Sequence, residues 1–127
     1  MVSLEREYDA RSKCVLVVDD EPLIRLFLAQ ELRESGLIVV EAGRADEALM
    51  YIRSAAQIDL VFTDIQMPGH IDGLGLAQSL KANNPYLPII ITSGMVTPVG
   101  FEEIGAFLPK PYDIIEAADL VFRSLGF

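Results

Sequence analysis

The feature that most constrains the fold is a set of five short apolar runs, rich in β-branched or aromatic residues. They are CVLVV (14–18), LIVV (37–40), LVF (60–62), IIIT (89–92) and AFL (106–108). Continuous runs of this kind, rather than alternating ones, are typical of strands that are buried on both faces of a parallel sheet. The sequence therefore predicts five parallel strands covered by helices.

The segments between these runs have the periodicity of amphipathic helices. In the first segment, Pro22 suits an early helical position and Gly36 suits a C-terminal cap, which predicts a helix from about residue 22 to 35. Three more apolar stripes are Ala45, Ala48, Leu49 and Ile52; Leu74, Ala77 and Leu80; and Ile114, Ala118, Val121, Phe122 and Leu125. Alternating strands and helices indicate one doubly wound α/β domain over residues 13–127. A polar leader, which we expect to be flexible, precedes it at residues 1–12.

Charge and cysteine content exclude several classes of partner. The 127 residues include 10 Lys and Arg against 19 Asp and Glu, a formal net charge of −9. This charge repels the phosphates of nucleic acids and the surface of anionic membranes, so we expect neither as a partner. The single cysteine, Cys14, cannot build a disulfide framework, and the charged N-terminus does not resemble a signal peptide. We therefore expect a cytoplasmic protein.

A polar residue follows each apolar run. These residues are Asp19 and Asp20, Glu41, Thr63 and Asp64, Ser93, and Lys110, in chain order. Open parallel sheets bind ligands outside the carboxyl ends of their strands. In a flavodoxin-like strand order the first and third strands are neighbours, so Asp19, Asp20 and Asp64 are expected to converge.

Three converging carboxylates need cations. At an effective dielectric of about 20, two carboxylates about 4 to 5 Å apart repel each other by roughly 3 to 4 kcal/mol. Lys110 supplies one positive charge, and Mg²⁺ is the divalent ion that suits such oxygen ligands. Because Mg²⁺ favours one or two carboxylates plus a phosphate oxygen, the cluster suggests phosphoryl chemistry.

Five short motifs in this order resemble a known family. They are Asp19-Asp20, Asp64, Met67-Pro68 shortly after it, Ser93-Gly94, and Lys110-Pro111. Together they resemble the receiver domain of bacterial two-component response regulators, of the single-domain, stand-alone type. The resemblance covers about residues 13 to 125. It implies a flavodoxin-like sheet with the strand order 2-1-3-4-5.

The resemblance also implies a role for each matching residue. Asp64 would be the phosphoacceptor, and Mg²⁺ would be held by Asp19, Asp20, Asp64 and the backbone carbonyl of Gln66, with Asp19 acting through water. Ser93 and Lys110 would bind phosphoryl oxygens. Phe107 lies where the family keeps a switch aromatic residue, and the Lys110-Pro111 peptide bond would be cis.

The implied function is a phosphorylation-controlled signalling module and not an enzyme. Its phosphodonor would be a sensor histidine kinase, including one of an atypical class, or a phosphotransfer protein. With no output domain expected after Phe127, it would signal to a downstream protein target by contact. Two alternatives stay open: a phosphate sink or shuttle in a phosphorelay, and a small Mg²⁺-dependent aspartyl-phosphate phosphatase.

Two segments depart from the family pattern. The segment from Met67 to Gly73 is one residue longer than the usual loop. Ser93 and Lys110 are 17 positions apart, whereas the family spacing is longer by about five positions, which is more than one helical turn. Pro98 and Gly100 lie between them and disfavour a helix. We therefore expect the fourth helix to be short or absent.

Overall fold

A five-stranded parallel sheet forms the centre of the protein in a computed structural model that describes residues 13–54, 57–67, 72–94 and 100–127. The strands are β1 (Cys14–Val18), β2 (Ile38–Ala42), β3 (Leu60–Asp64), β4 (Ile89–Ser93) and β5 (Ala106–Pro109). Their spatial order is β2-β1-β3-β4-β5, and every neighbouring pair is parallel. The predicted fold class and strand order are therefore confirmed.

In the described ranges, four α-helices connect or follow the strands. They are α1 (Pro22–Glu34), α2 (Ala45–Arg53), α3 (Gly73–Asn83) and α4 (Ile114–Ser124). Pro22 lies in the first turn of α1, and Gly36, just after the helix, has a positive φ of 98°. Asp72 and Asp113 cap α3 and α4, because their side chains accept hydrogen bonds from Gly75 N and Ile115 N, each at 2.7 Å.

The helices pack on opposite faces of the sheet and create two apolar clusters. The first joins α1 and α4 to the sheet, with Leu28 and Phe122 packed against Val15, Val17 and other strand residues. The second joins α2 and α3 to the other face, where Ala48 and Leu76 pack with strand residues such as Leu16 and Ile91. The predicted helical stripes all take part in these clusters. Burial on both faces explains why the strands have no alternating pattern.

The connection from β4 to β5 differs from the other crossovers. Its described part, from residue 100 onward, contains a 3-10 turn at Phe101–Glu103, preceded by Gly100 with a φ of 79°. A helical turn is therefore present in this crossover, and the expectation that the helix is wholly absent is wrong. It is short in the part that is described. Gly105 then lies so close to β4 that an added Cβ would be 1.9 Å from the Ile89 carbonyl oxygen.

Some predictions fall outside the described residues. They concern the polar leader at 1–12, residues 68–71 of the lengthened loop before α3, and residues 95–99, which include Pro98. None of the helices in the four described ranges combines the length and the apolar character required to cross a lipid bilayer.

Candidate functional site

Three carboxylates meet at the carboxyl ends of β1 and β3. These strands are neighbours, and Val18 pairs with Thr63 immediately before the acidic residues. One oxygen from each of Asp19, Asp20 and Asp64 lies within 4.8 Å of the others. Asp19 and Asp64 are only 1% and 4% exposed, whereas Asp20 is exposed. The convergence expected from strand order is therefore present.

Lys110 brings a positive charge into this cluster from the end of β5. Its Nζ lies 2.9 Å from Asp64 Oδ2 and 3.1 Å from Asp19 Oδ2. Burial lowers the pKa of Lys110, but the hydrogen bond to Asp64 and the attraction of Asp19 outweigh it and raise the pKa above its usual range. The lysine is therefore a permanent cation that bridges two carboxylates from different strands.

Glu21 is a fourth acidic residue at the site, and the sequence analysis missed it. Its Oε1 lies 3.3 Å from Lys110 Nζ, and its backbone N donates a hydrogen bond of 2.9 Å to Asp19 Oδ1. The only signal for it in the sequence is its position directly after Asp19 and Asp20. Its side chain is more than half exposed, so it can leave Lys110 without a large desolvation change.

Burial of the Asp19 carboxylate disfavours its charged form, and its neighbours only partly offset this penalty. Burial raises the pKa of this carboxyl, while the hydrogen bond from Glu21 N and the charge of Lys110 act in the opposite direction. Asp19 Oδ2 is buried and, apart from its ion pair with Lys110, it accepts no hydrogen bond in the described structure. A buried oxygen in this condition has spare capacity for a further positive group.

The remaining predicted site residues lie around the same edge of the sheet. Ser93 ends β4 and is 2% exposed, and its carbonyl accepts a 2.9 Å hydrogen bond from Lys110 N. Gln66 N donates a 3.0 Å hydrogen bond to Asp64 Oδ1, which orients the carboxylate. The Lys110-Pro111 peptide bond is cis, as the resemblance implied. Phe107 is half-buried on β5, with its ring centroid 5.6 Å from that of Phe101.

The start of α3 packs directly under the phosphoacceptor candidate. A Cβ added at Gly73 would lie 1.6 Å from the Asp64 carbonyl oxygen and 2.7 Å from Ile65 Cα. Only a residue without a side chain permits this approach. The position of α3 is therefore tied to the end of β3.

An apolar groove of about 490 Å³ opens beside Lys110. Its walls come from α1, from the segment after β5 and from α4, and include Ile24, Phe27, Tyr112 and Ile114. The Tyr112 ring meets Phe62 edge-on at 5.6 Å, and burial, followed by the charge of Asp19, raises the pKa of its hydroxyl. Leu23 and Phe27 on α1 are 65% and 52% exposed. The site therefore borders a surface with unusual apolar character.

The arrangement of acids, lysine and strand ends can be compared with known proteins. The family model of the response regulator receiver domain matches residues 15–120. The chain belongs to this family.

Curated relatives of the receiver domain are transcriptional regulators. The chain is 40% identical over 117 residues to the DNA-binding transcriptional regulator NtrC of Salmonella typhimurium, and 38% identical over 117 residues to that of Azospirillum brasilense. Each match covers 88% of this chain but 24% of the relative. The chain thus spans about a quarter of the length of these proteins, and their names describe the whole proteins.

Solved structures agree with the family at the level of the fold. The response regulator TrrA from Thermotoga maritima, in complex with Mg²⁺-BeF, has a TM-score of 0.78 and 32% identity, covering 88% of this chain and 98% of that one. The receiver domain of NtrX from Brucella abortus has a TM-score of 0.73 and 36% identity, covering 87% and 97%. The receiver domain is a module of two-component signalling.

The donor set of this receiver domain fits a small, hard divalent cation. It offers carboxylate oxygens from Asp19, Asp20 and Asp64, of which two are buried and one is open to solvent. Asp19 Oδ2 is buried and pairs with the Lys110 ammonium at 3.1 Å, so it keeps a lone pair that can accept from a further positive group or from its water shell. Mg²⁺ prefers such oxygen ligands and retains part of its water shell, which the exposed Asp20 side permits.

Proposed function

We propose that this receiver domain accepts a phosphoryl group on Asp64 from a histidine kinase or a phosphotransfer protein, in a reaction that requires Mg²⁺. The observation that carries the proposal is the Lys110 ammonium held between Asp64 and Asp19, 2.9 and 3.1 Å away. A buried carboxylate beside a permanent cation is suited to attack phosphorus, because the cation offsets charge on the transferring group.

Asp64 is prepared for this attack by its own hydrogen bonds. Oδ1 accepts from Gln66 N and Oδ2 from Lys110 Nζ, so the carboxylate plane is fixed before a donor arrives. In the transfer, an Asp64 oxygen forms the new bond to phosphorus while the bond to the donor's histidine nitrogen breaks and the imidazole leaves. The Lys110 ammonium then remains beside the new phosphoryl oxygens.

Mg²⁺ would be held by Asp20, Asp64 and the Gln66 carbonyl, with Asp19 reaching it through water. When bound, it supplies positive charge to the carboxylates and to the phosphoryl oxygens. The chain's own contribution is to fix the carboxylates: Glu21 N holds Asp19, and Gln66 N holds Asp64.

The phosphorylated state would be read by Ser93 and Phe107. Ser93 is the last residue of β4, the strand beside β3, and the residue before it, Thr92, pairs with Asp64. Ser93 therefore lies at the same edge of the sheet as Asp64. In our proposal the Ser93 hydroxyl donates to a phosphoryl oxygen and Phe107 moves into the space that it leaves. The changed surface then passes the signal by protein contact, in the cytoplasm.

A protein donor suits the groove beside Lys110. Lys110 lines both the groove and the acid cluster, so a helix laid along Ile24, Phe27 and Ile114 brings its histidine to the site. Phe27→Ser should slow transfer from a phosphorylated histidine phosphotransfer domain at least tenfold, while transfer from acetyl phosphate should stay within about twofold. If Phe27→Ser slows transfer from both donors by the same factor, or slows neither, the groove is not the docking site of the protein donor.

The decisive experiment is intact-mass measurement after incubation with acetyl phosphate. We expect one phosphoryl group per chain with Mg²⁺, none with EDTA, and none for Asp64→Asn. Asp59→Asn is a matched control, since Asp59 is an aspartate directly before the start of β3, and it should label like the wild type. Stoichiometric labelling of Asp64→Asn would refute the assignment. Steady hydrolysis of p-nitrophenyl phosphate would favour the phosphatase alternative.

A further inference from the structure

A chain of charged side chains runs from the acid cluster towards the edge strand β2. Arg25 Nη1 donates a 2.8 Å hydrogen bond to the Asp19 carbonyl oxygen, and Arg25 Nε contacts Glu41 Oε1 at 3.3 Å. Arg33 Nη1 contacts the other oxygen of Glu41 at 3.1 Å, and Arg33 Nη2 donates to the Val39 carbonyl at 2.9 Å. These residues take no direct part in the proposed transfer.

The Arg25 contact acts on the peptide that joins the two acidic residues. A peptide unit is planar, so fixing the Asp19 carbonyl also fixes the plane that carries the Asp20 nitrogen and Cα. Asp19 N donates to the Ala42 carbonyl at 3.0 Å, which holds the preceding peptide to β2. Both sides of Asp19 are therefore held, and the exposed Asp20 side chain projects from an immobilised main chain.

The guanidinium is itself held in one orientation. A guanidinium is a rigid planar fork, so its contact with Glu41 through Nε sets the direction of Nη1 towards Asp19. The side chains of Arg25 and Glu41 are 22% and 25% exposed, which limits competition from water. Gly43 leaves just enough room, because an added Cβ would be 3.2 Å from Arg25 Nη1.

We infer that Arg25 is a positioning residue for the Mg²⁺ site, acting through the Asp19 carbonyl and held in place by Glu41. This inference rests on the proposed function, because it assumes that Asp20 is a Mg²⁺ ligand. Groups that orient metal ligands commonly change metal affinity by about 10- to 100-fold when they are removed. Arg25 should therefore control the affinity for Mg²⁺ without touching the ion.

The test is the Mg²⁺ dissociation constant of the full chain, measured by isothermal titration calorimetry at fixed ionic strength. Arg25→Met keeps the aliphatic stem but removes both contacts, and it should weaken Mg²⁺ binding about tenfold. Arg25→Gln should act similarly, and it serves if the methionine variant does not fold. The difference should persist in 0.5 M NaCl, because it arises from main-chain geometry. The long-range interaction between the Arg25 cation and Mg²⁺ is a repulsion, which salt screens.

Arg33→Met is the matched control. Arg33 also contacts Glu41 and a main-chain carbonyl in the same region, but that carbonyl belongs to Val39. Its removal should leave the dissociation constant within about twofold of the wild type. An unchanged constant for folded Arg25→Met and Arg25→Gln, or an equal loss for Arg33→Met, would overturn the inference. If the wild type itself binds no Mg²⁺, the proposed function fails instead.

Discussion

The two ends of the sheet are built from different kinds of contact. At the carboxyl end, Asp19, Asp64 and Lys110 are charged side chains packed together beneath an open surface. At the amino end, Asp59 Oδ2 accepts a 2.8 Å hydrogen bond from Cys14 N, and Gly105 packs against the Ile89 carbonyl. The contacts at the amino end involve main-chain groups and need no added ion or ligand.

The difference indicates where stability and function reside in this receiver domain. At the amino end, the Asp59 carboxylate accepts a hydrogen bond from a main-chain N–H, and Gly105 lets β4 and β5 approach closely. The carboxyl end leaves buried carboxylates whose mutual repulsion Lys110 offsets only in part, which costs stability until a further cation arrives. Changes at the two ends should therefore separate stability from ligand response.

The largest expected effect is a loss of stability at the amino end. In Gly105→Ala the new Cβ would lie 1.9 Å from the Ile89 carbonyl oxygen, so β4 and β5 must separate. We expect the free energy of unfolding in urea to fall by about 3 kcal/mol. Gly126→Ala, at a positive φ with open space around it, should cost about 1 kcal/mol. A cost below 1 kcal/mol for Gly105→Ala would contradict the comparison.

A smaller effect is expected from Mg²⁺ at the carboxyl end. A ligand that binds only the folded state stabilises it by about 1.4 kcal/mol at ten times its dissociation constant. Calorimetric melting should show this gain in the wild type and in Gly105→Ala, because the amino end is remote from the site. Asp20→Ala should lose most of the gain. An undiminished gain in Asp20→Ala would place the ion elsewhere.

The pH dependence of the Mg²⁺-free protein should reveal the cost of Asp19. Burial raises the pKa of this carboxyl in the folded state, so the folded state holds the proton more tightly than the unfolded chain. Its contribution to stability is therefore fully present below the unfolded pKa of about 4 and is lost as the pH rises through the folded pKa.

Urea unfolding in EDTA between pH 4 and 7 measures this loss. The asparagine of Asp19→Asn cannot ionise, so the free energy of unfolding should decline less with rising pH than in the wild type. The difference between the two declines should be smaller than the roughly 1.4 kcal/mol expected from Mg²⁺. Parallel pH profiles for the two proteins would show that Asp19 is not under strain.

The smallest effect is expected for Asp59→Asn at the amino end. Asparagine keeps an oxygen that can accept from Cys14 N, so the free energy of unfolding should change by less than about 0.5 kcal/mol.

Burial raises the pKa of the Cys14 thiol more than the charge of Asp59 does. The thiol should therefore stay slow to react with iodoacetamide at pH 8. A large acceleration would mean that the charge, not burial, protects it.

Much of the fold could be predicted from the sequence because strand and helix signals are carried by residues that are close together in the chain. Continuous apolar runs mark strands buried on two faces, and Pro22 and Gly36 delimit α1, which ends at Glu34, one residue before the predicted end. The convergence of Asp19 and Asp64 follows from the rule that parallel strands end at the same edge. These features need no knowledge of side-chain conformation.

The rest of the site depends on distances that a sequence does not contain. The sequence marks Glu41 as the polar residue after the second apolar run, and the structure places it within β2. Its partner Arg25 lies on α1 and is revealed only by how that helix packs. Glu21 reaches Lys110 across 89 positions of the chain. In the crossover from β4 to β5, Pro98 and Gly100 predict a weak helix but not the 3-10 turn at Phe101–Glu103.

The close approach of Gly73 to the Asp64 carbonyl has a consequence for sequence drift. Every substitution of another residue for glycine introduces at least a Cβ, and here that atom would lie 1.6 Å from the main-chain oxygen of Asp64, the proposed phosphoacceptor. Relief would require α3 to withdraw from the end of β3, which would disturb Asp64. Position 73 is therefore closed to substitution for a reason of volume alone, although Gly73 itself has no chemical part in the proposed phosphotransfer.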